Sequence, residues 1–256
     1  MIEKRFSAAA ETYDRHARPQ LSLARSVCDV LPEIYPEQIL ELGCGTGQLT
    51  RLLFDRFPDV PIDAVDLSEK MVEYSRNKFK RFNQATWIQG DAQTYRGQDP
   101  YPLIVSSAAL HWVSDLRKTF ENIFQCLEKD GFFALGMMLS GTLKELLAVR
   151  QEVAPQKTPA SALPALEELM ENLHAAGFKI LRKKLSEEEV SYRSATDFLR
   201  TIHEQGVTGA KVASGREPLN RSEIDRLIEL YQDRYSSADG VTATYETATL
   251  LLTKTS

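Results

Sequence analysis

The stretch that most constrains this chain is Ile39-Leu40-Glu41-Leu42-Gly43-Cys44-Gly45-Thr46-Gly47, an apolar run that breaks into three glycines at alternate positions. Leu49, Leu52, Leu53 and Phe57 follow at helical spacing, so the segment reads as a buried strand, a tight turn and a helix start. A chain that turns this sharply at a strand's end needs glycine's backbone freedom and must let a ligand approach its main chain. A glycine turn alone is a weak signal, so what matters is whether acids follow at later strand ends, where open parallel sheets bind ligands. The spacing is G-x-G-x-G, and Gln48 stands where a dinucleotide fingerprint would place its third glycine, which weakens a nicotinamide reading.

Acids at the next two strand ends sharpen the picture. Ile62-Asp63-Ala64-Val65-Asp66-Leu67 carries Asp66 about twenty residues beyond the glycines, where an acid commonly accepts from a ribose hydroxyl. Ala85-Thr86-Trp87-Ile88-Gln89 stops at Gly90-Asp91. This combination resembles the class I S-adenosylmethionine-dependent methyltransferases, whose first motif E/D-x-G-x-G-x-G is met by Glu41, Gly43, Gly45 and Gly47. The resemblance implies a Rossmann-like α/β fold with a mostly parallel seven-stranded sheet and helices on both faces. It also implies S-adenosylmethionine as cofactor, with Asp66 and Leu67 at the ribose, Asp91 and Ala92 at the adenine, and Ser106 near the donor. Glu41 would organise the turn and the methionine amino group, or simply face solvent.

At 256 residues and 43% apolar composition, the chain can bury one sizeable core with an appended cap. A net charge of -5 argues against broad electrostatic binding to nucleic acid. Neither an N-terminal apolar segment nor a run of about eighteen apolar residues is present, so membrane association is not expected and a cytoplasmic location is. The 3 cysteines, Cys28, Cys44 and Cys126, are widely spaced, and the 4 histidines lack zinc-ligand spacing, so no metal is expected.

In chain order, residues 6 to 18 read as a helix with Phe6, Ala10, Tyr13 and Ala17 near one face, and Leu21 to Leu31 as a second, ended by Pro32. Ser68 suits a helix cap ahead of Met71, Val72, Ser75 and Phe79. The cations Arg76, Lys78, Lys80 and Arg81 read as a solvated face. Leu103-Ile104-Val105-Ser106 is the fourth strand, and the loop Ser107 to Val113 beyond it should border the acceptor's pocket. His111 in that loop is open to two readings, a polar contact or base for the acceptor and a hydrogen-bonded packing residue. Phe132 to Gly136 is the fifth parallel strand; Phe178 to Leu185 alternates as a strand, and Thr242 to Leu252 closes the sheet. The intervening fifty or so residues are helical in pattern, too long for a plain connection, and read as a small cap. Ser194 with Asp197, and Asn220 with Glu223, mark its helix starts. One domain is expected: an N-terminal helical lid over 1–32, a cofactor-binding core over 33–185, a helical cap over 186–240 and a final strand over 241–256.

The segments outside the core carry a narrower resemblance. Phe6-Ser7-Ala8-Ala9 with Tyr13-Asp14 and Ala17 to Gln20, the loop Leu110-His111-Trp112, the stretch Leu139 to Leu146 and the cap run Phe198 to Ala210 look like those of the malonyl-[acyl-carrier protein] O-methyltransferases of biotin synthesis. That resemblance implies methylation of a free malonyl carboxylate on acyl-carrier protein, or on coenzyme A, with Arg200 gripping the carboxylate and Tyr13 closing over the cofactor. From the residues alone, Arg200 and Glu204 could equally form a surface helix pair. Members of the family often place glutamine where His111 stands. A carboxylate is ionised at neutral pH and needs no base to attack a sulfonium methyl. The carrier is acidic, so basic residues should assist docking, with Lys179, Arg182, Lys183 and Lys184 as candidates.

Overall fold

A computed structural model describes residues 17–158, 163–205 and 218–254. Tyr13 and most of the expected helix over 6–18 lie outside the described residues. Helix α1 (Arg18–Val30) begins at a proline in its first turn and buries Leu23, Ala24, Val27 and Val30, spaced for one helix face. The strands are β1 (Ile39–Leu42), β2 (Ile62–Asp66), β3 (Ala85–Gln89), β4 (Tyr101–Ser107), β5 (Leu127–Met138), β6 (Phe178–Tyr192), β7 (Ser236–Ser237) and β8 (Gly240–Lys254). Between them lie α2 (Gln48–Arg56), α3 (Glu69–Lys78), α4 (Leu116–Cys126), α5 (Lys144–Val153), α6 (Leu166–Ala175), α7 (Ala195–Glu204) and α8 (Arg221–Arg234).

The sheet order is β3-β2-β1-β4-β5-β8-β6, with β7 paired to β8. The first five strands are parallel, and β8 runs antiparallel to both β5 and β6. The expected seven strands are thus present, and the two-residue β7 is an eighth that the polar pair Ser236-Ser237 does not announce.

Alternation decides which helix covers which face. Ile39, Ile62, Ala64, Leu103, Val105 and Ala134 pack beneath α1 and α2, while Leu40, Leu42, Val65, Ile104, Phe133 and Leu135 pack against α4 and α6. Because both faces are covered, these strands read as continuous apolar runs and not as half-apolar ones. Hydroxyl and amide caps set the helix starts: Ser68 accepts from the Met71 N–H at 3.3 Å, Ser194 from the Asp197 N–H at 3.1 Å, and Asn220 and Glu223 form a reciprocal capping box.

Strand β6 runs seven residues beyond the expected end at Leu185. It is the sheet's edge, and Leu181 through Glu187 are all exposed, so no buried face imposes an alternating pattern there. The helical part of the cap is correspondingly shorter. Its helices α7 and α8 build a separate apolar cluster, in which Phe198, Ile202, Leu227 and Tyr231 meet Tyr192, Val241, Ala243 and Tyr245 from the ends of β6 and β8. Among the described residues, no helix is long and apolar enough to cross a membrane.

Candidate active site

A cleft opens at the carboxyl ends of β1, β2, β3 and β4, and the strand-to-helix turn after β1 forms its floor. Val65 O receives the Gly43 and Cys44 N–H groups at 2.8 and 3.0 Å, and the Ser75 hydroxyl donates to Gly45 O at 2.7 Å. The three glycines do different work. A Cβ on Gly43 would lie 2.1 Å from Ala109 Cβ, and one on Gly47 would lie 2.3 Å from Phe79 Cε2, so both make room for neighbouring side chains. Gly45, with φ +52, has nothing within 4 Å of that position and leaves its backbone open to the cleft. Gly43 and Gly45 line the cleft and Gly47 is not among the lining residues. Gly47 instead ends the turn in a left-handed conformation and starts α2.

Asp66 sits at the end of β2 with both oxygens engaged. Its Oδ2 accepts the Gly45 N–H at 2.9 Å and its Oδ1 the Ser68 N–H at 2.8 Å. Burial raises its pKa, and these two N–H donors oppose the rise. Asp91 follows β3, and its Oδ1 accepts the Gln93 N–H at 2.9 Å. The Gln93 side-chain Oε1 in turn accepts from the Ser114 hydroxyl at 2.8 Å, tying this loop to the one after β4. Leu67 and Ala92 line the cleft beside the two acids.

Glu41 also lines the cleft, although it is only 1% exposed. Its Oε2 accepts the Thr50 hydroxyl at 2.6 Å, and burial pushes its pKa up to about 8. Of the two readings left open by the sequence, the solvent-facing one fails. A buried carboxyl with a single side-chain donor is a poor anion until a cation arrives.

Other expected site residues lie behind the cleft or away from it. Ser106 is buried, and its hydroxyl donates to Leu42 O at 2.8 Å, which ties β4 to β1. His111, in a short 3-10 turn over Leu110–Trp112, is buried, and its ring stands 4.8 Å from that of Trp112. Burial holds its pKa down to about 3, so the imidazole is neutral across the physiological range. Ser106 and His111 are not among the lining residues. Arg200 lies on the exposed side of α7 and is ion-paired with Asp197, three residues earlier.

Ser107 and Ala108, from the loop expected to border the pocket, line the cleft, and so does Gln20, read from the sequence only as part of a family-like segment. Gln20 had a legible signal, as the one polar residue on a helix face otherwise made of Leu23, Ala24 and Val27. Ala108 lies in the left-handed region at φ +52, uncommon for a residue with a side chain, at the turn that brings this loop over the glycines. Ala108 and Trp112 both line the cleft and pack against the cap's apolar cluster, which sets the cap beside the cleft.

With this geometry in place, comparison with known proteins is informative. A family model described as a methyltransferase domain matches residues 39–131, the segment holding the turn and both strand-end acids. A malonyl-[acyl-carrier protein] O-methyltransferase of Priestia megaterium is 31% identical, with 100% of this chain and 97% of that protein covered. One from a Paenibacillus species is 30% identical over 96% of this chain and 95% of its own. This chain belongs to the malonyl-[acyl-carrier protein] O-methyltransferase family. An S-adenosylmethionine-dependent methyltransferase of Thermotoga maritima shares the fold, with a TM-score of 0.58 and 18% identity over 99% of this chain and 100% of that one. The family similarity extends well past the methyltransferase core into the cap, the part of the chain least constrained by the shared fold.

Register locates the basic run of β6 relative to this site. Lys179 pairs with Thr253, which pairs with Phe132 at the far end of β5 from the cleft. Lys184 pairs with Thr249, itself opposite Gly136, the partner of the cleft residue Ser107. Lys184 is therefore level with the cleft, three strands away, while Lys179 and Arg182 lie below it. The four expected docking cations are not one surface at the mouth.

Proposed function

We propose that the chain is an S-adenosylmethionine-dependent carboxyl O-methyltransferase that converts the free carboxylate of a malonyl group on acyl-carrier protein to its methyl ester. The observation that carries this reading is the donor set of the cleft: three carboxylates at successive strand ends and, among the described lining residues, no lysine, arginine or histidine. Such a lining suits a cationic donor carrying a nucleoside, and an acceptor that needs no deprotonation.

The residues present fit S-adenosylmethionine. On this reading Asp66 takes the ribose hydroxyls, Asp91 and Ala92 the adenine edge and Glu41 the ammonium group, and Gly45 gives the main chain close approach. When bound, this donor supplies a methyl group activated by a sulfonium centre. The chain's own part is to hold and align. Orientation of two bound reactants is worth roughly 7 to 11 kcal/mol in favourable cases, enough to carry much of a simple displacement. Because the malonyl carboxylate is ionised, the neutral, buried His111 is not required as a base, and its place in the reaction is to support the loop that carries Trp112. Arg200 on the cap is the proposed partner for the carboxylate, and Tyr13 the proposed closing residue over the donor.

The test is methyl transfer from labelled S-adenosylmethionine to malonyl-[acyl-carrier protein], malonyl-coenzyme A and free malonate, read as base-labile label. A kcat/KM at least tenfold higher for the carrier-bound malonyl group than for free malonate is expected. Preference for the free acid would make this a small-molecule carboxyl methyltransferase.

A further inference from the structure

Strand β6 ends the sheet, and its outer edge has no partner strand among the described residues. It is 15 residues long and contains neither glycine nor proline. Its one irregularity lies between Ile180 and Arg182, and from Arg182 onward the pairing with β8 is regular. Leu181 through Glu187 are exposed, Leu185 to the extent of 49% although it is apolar. A long, regular, uncovered edge is a template for a further strand unless its side chains keep one away.

The charges on this edge divide by sign about one residue. Arg182, Lys183 and Lys184 precede Leu185, and Glu187, Glu188 and Glu189 follow it after Ser186. Charges of a single sign would repel a copy of the same edge, but this arrangement attracts one. When two copies of a strand pair antiparallel about a twofold axis, residues equally far from the axis on either side stand opposite each other. With Leu185 on the axis, Lys183 faces Glu187 of the second copy on one face of the joined sheet. Arg182 faces Glu188 of the second copy on the other face, and the symmetry forms each pair twice. Leu185 meets its own counterpart, and Lys184 meets the uncharged Ser186.

The groups are available for this. Among the described residues, Arg182, Lys183 and Lys184 have no hydrogen-bond or ion-pair partner. The acids are held from within the chain through one oxygen each: Lys144 Nζ lies 2.6 Å from Glu187 Oε1, and Arg18 Nε lies 3.6 Å from Glu188 Oε1. The second oxygen of each carboxylate is left for a cation across the edge. We infer that β6 is a self-association edge, through which two copies of this chain join antiparallel over Arg182 to Glu188 into one continuous sheet. The cleft lies at β1 to β4, beyond β8 and β5 from this edge, so it stays open in each copy. Lys184 is left without an acid opposite it, so its proposed part in carrier docking is compatible with the pair.

Sedimentation velocity of the full chain over a concentration series at low salt tests this. The parent should pass from monomer to dimer as its concentration rises. Lys183→Glu sets acid against acid across the axis, and Glu187→Lys sets cation against cation, each at two symmetric places. Each variant alone should therefore self-associate about tenfold or more weakly than the parent. Mixed one to one, the two variants present opposite charges to each other at both places, and the mixture should form a dimer within about threefold of the parent's affinity. Both positions are exposed, so both variants should melt close to the parent. A parent that sediments as a monomer throughout, or single variants that dimerise as the parent does, would overturn the inference. So would a mixture that associates no better than its components.

Discussion

The Asp66 carboxylate accepts the Gly45 N–H at 2.9 Å, so the acid at the end of β2 holds the glycine turn that follows β1. One group thereby fixes the floor of the cleft, and the proposed function has its remaining lone pairs accept from a diol. Asp66→Asn has only one accepting oxygen, and either Gly45 or Ser68 loses its partner. Stability should fall by about 1–3 kcal/mol in urea titration, the cost of an unsatisfied buried N–H. Affinity for S-adenosylhomocysteine should fall at least tenfold in the same protein. Unchanged affinity would remove Asp66 from the ribose.

Crowding separates the glycines. All three have positive φ, so each alanine substitution carries roughly 1–2 kcal/mol of left-handed strain. Gly43→Ala adds a collision with Ala109, and Ala109→Gly in the same chain should restore part of the lost stability. The same second change should do nothing for Gly45→Ala, whose Cβ meets no neighbour. Denaturant midpoints of the two singles and two doubles decide the matter.

Glu41 links pH to stability and binding. Its pKa rises from 4.5 to about 8 on folding, so between those values the folded state binds the extra proton and stability falls as pH rises. The full effect in the ligand-free protein is on the order of 5 kcal/mol. Asp66, also raised, acts in the same direction. Glu41→Gln should flatten the decline in unfolding free energy from pH 5 to pH 8. An ammonium beside Glu41 favours its anion, so donor binding at pH 6 should release a proton. Binding heats in buffers of different ionisation enthalpy read that proton directly, and none released would place the ammonium elsewhere.

Much of this site was legible in the sequence because its key groups follow strands whose apolar pattern is unmistakable. Glu41, Asp66 and Asp91 each lie within two residues of a strand's end, and the caps at Ser68, Ser194 and Asn220 are local side-chain-to-backbone bonds that need only adjacent residues. What was not legible depends on contacts far apart in the chain. The division of labour among the glycines follows from Ala109 and Phe79, and the inward bond of Ser106 from Leu42 on the neighbouring strand. The true end of β6 was hidden because its middle, Leu181 to Glu187, is exposed on both sides and interrupts the pattern before the buried Val190 and Tyr192.

The slope of the basic run along β6 predicts unequal effects on carrier recognition. Lys184→Glu, level with Ser107, should raise the KM for malonyl-[acyl-carrier protein] more than Lys179→Glu, which lies at the far end of the sheet. Both should leave the KM for malonyl-coenzyme A within about twofold. Exposed charges act on encounter with a charged partner more than on chemistry, so raising the salt concentration should shrink the difference. Equal KM values for both variants would move the carrier's footprint off this edge.

Arg200 provides the sharpest division between a structural and a chemical role. Its side chain is 64% exposed and its only described partner is Asp197, an exposed pairing of the kind worth roughly 0.2–1 kcal/mol. Arg200→Ala should therefore change stability by less than about 1 kcal/mol and leave S-adenosylhomocysteine affinity intact. If the guanidinium leaves Asp197 for the malonyl carboxylate, kcat/KM for malonyl-[acyl-carrier protein] should fall by about tenfold or more. Arg200→Lys should recover only part of it, since an ammonium cannot bind both carboxylate oxygens with the same planar fork. Asp197→Ala supplies the complementary measurement: it frees Arg200 from its resting partner and should not reduce kcat/KM. A loss of activity in Asp197→Ala equal to that in Arg200→Ala, with the melting temperature lowered in both, would return the pair to a purely structural role in the cap.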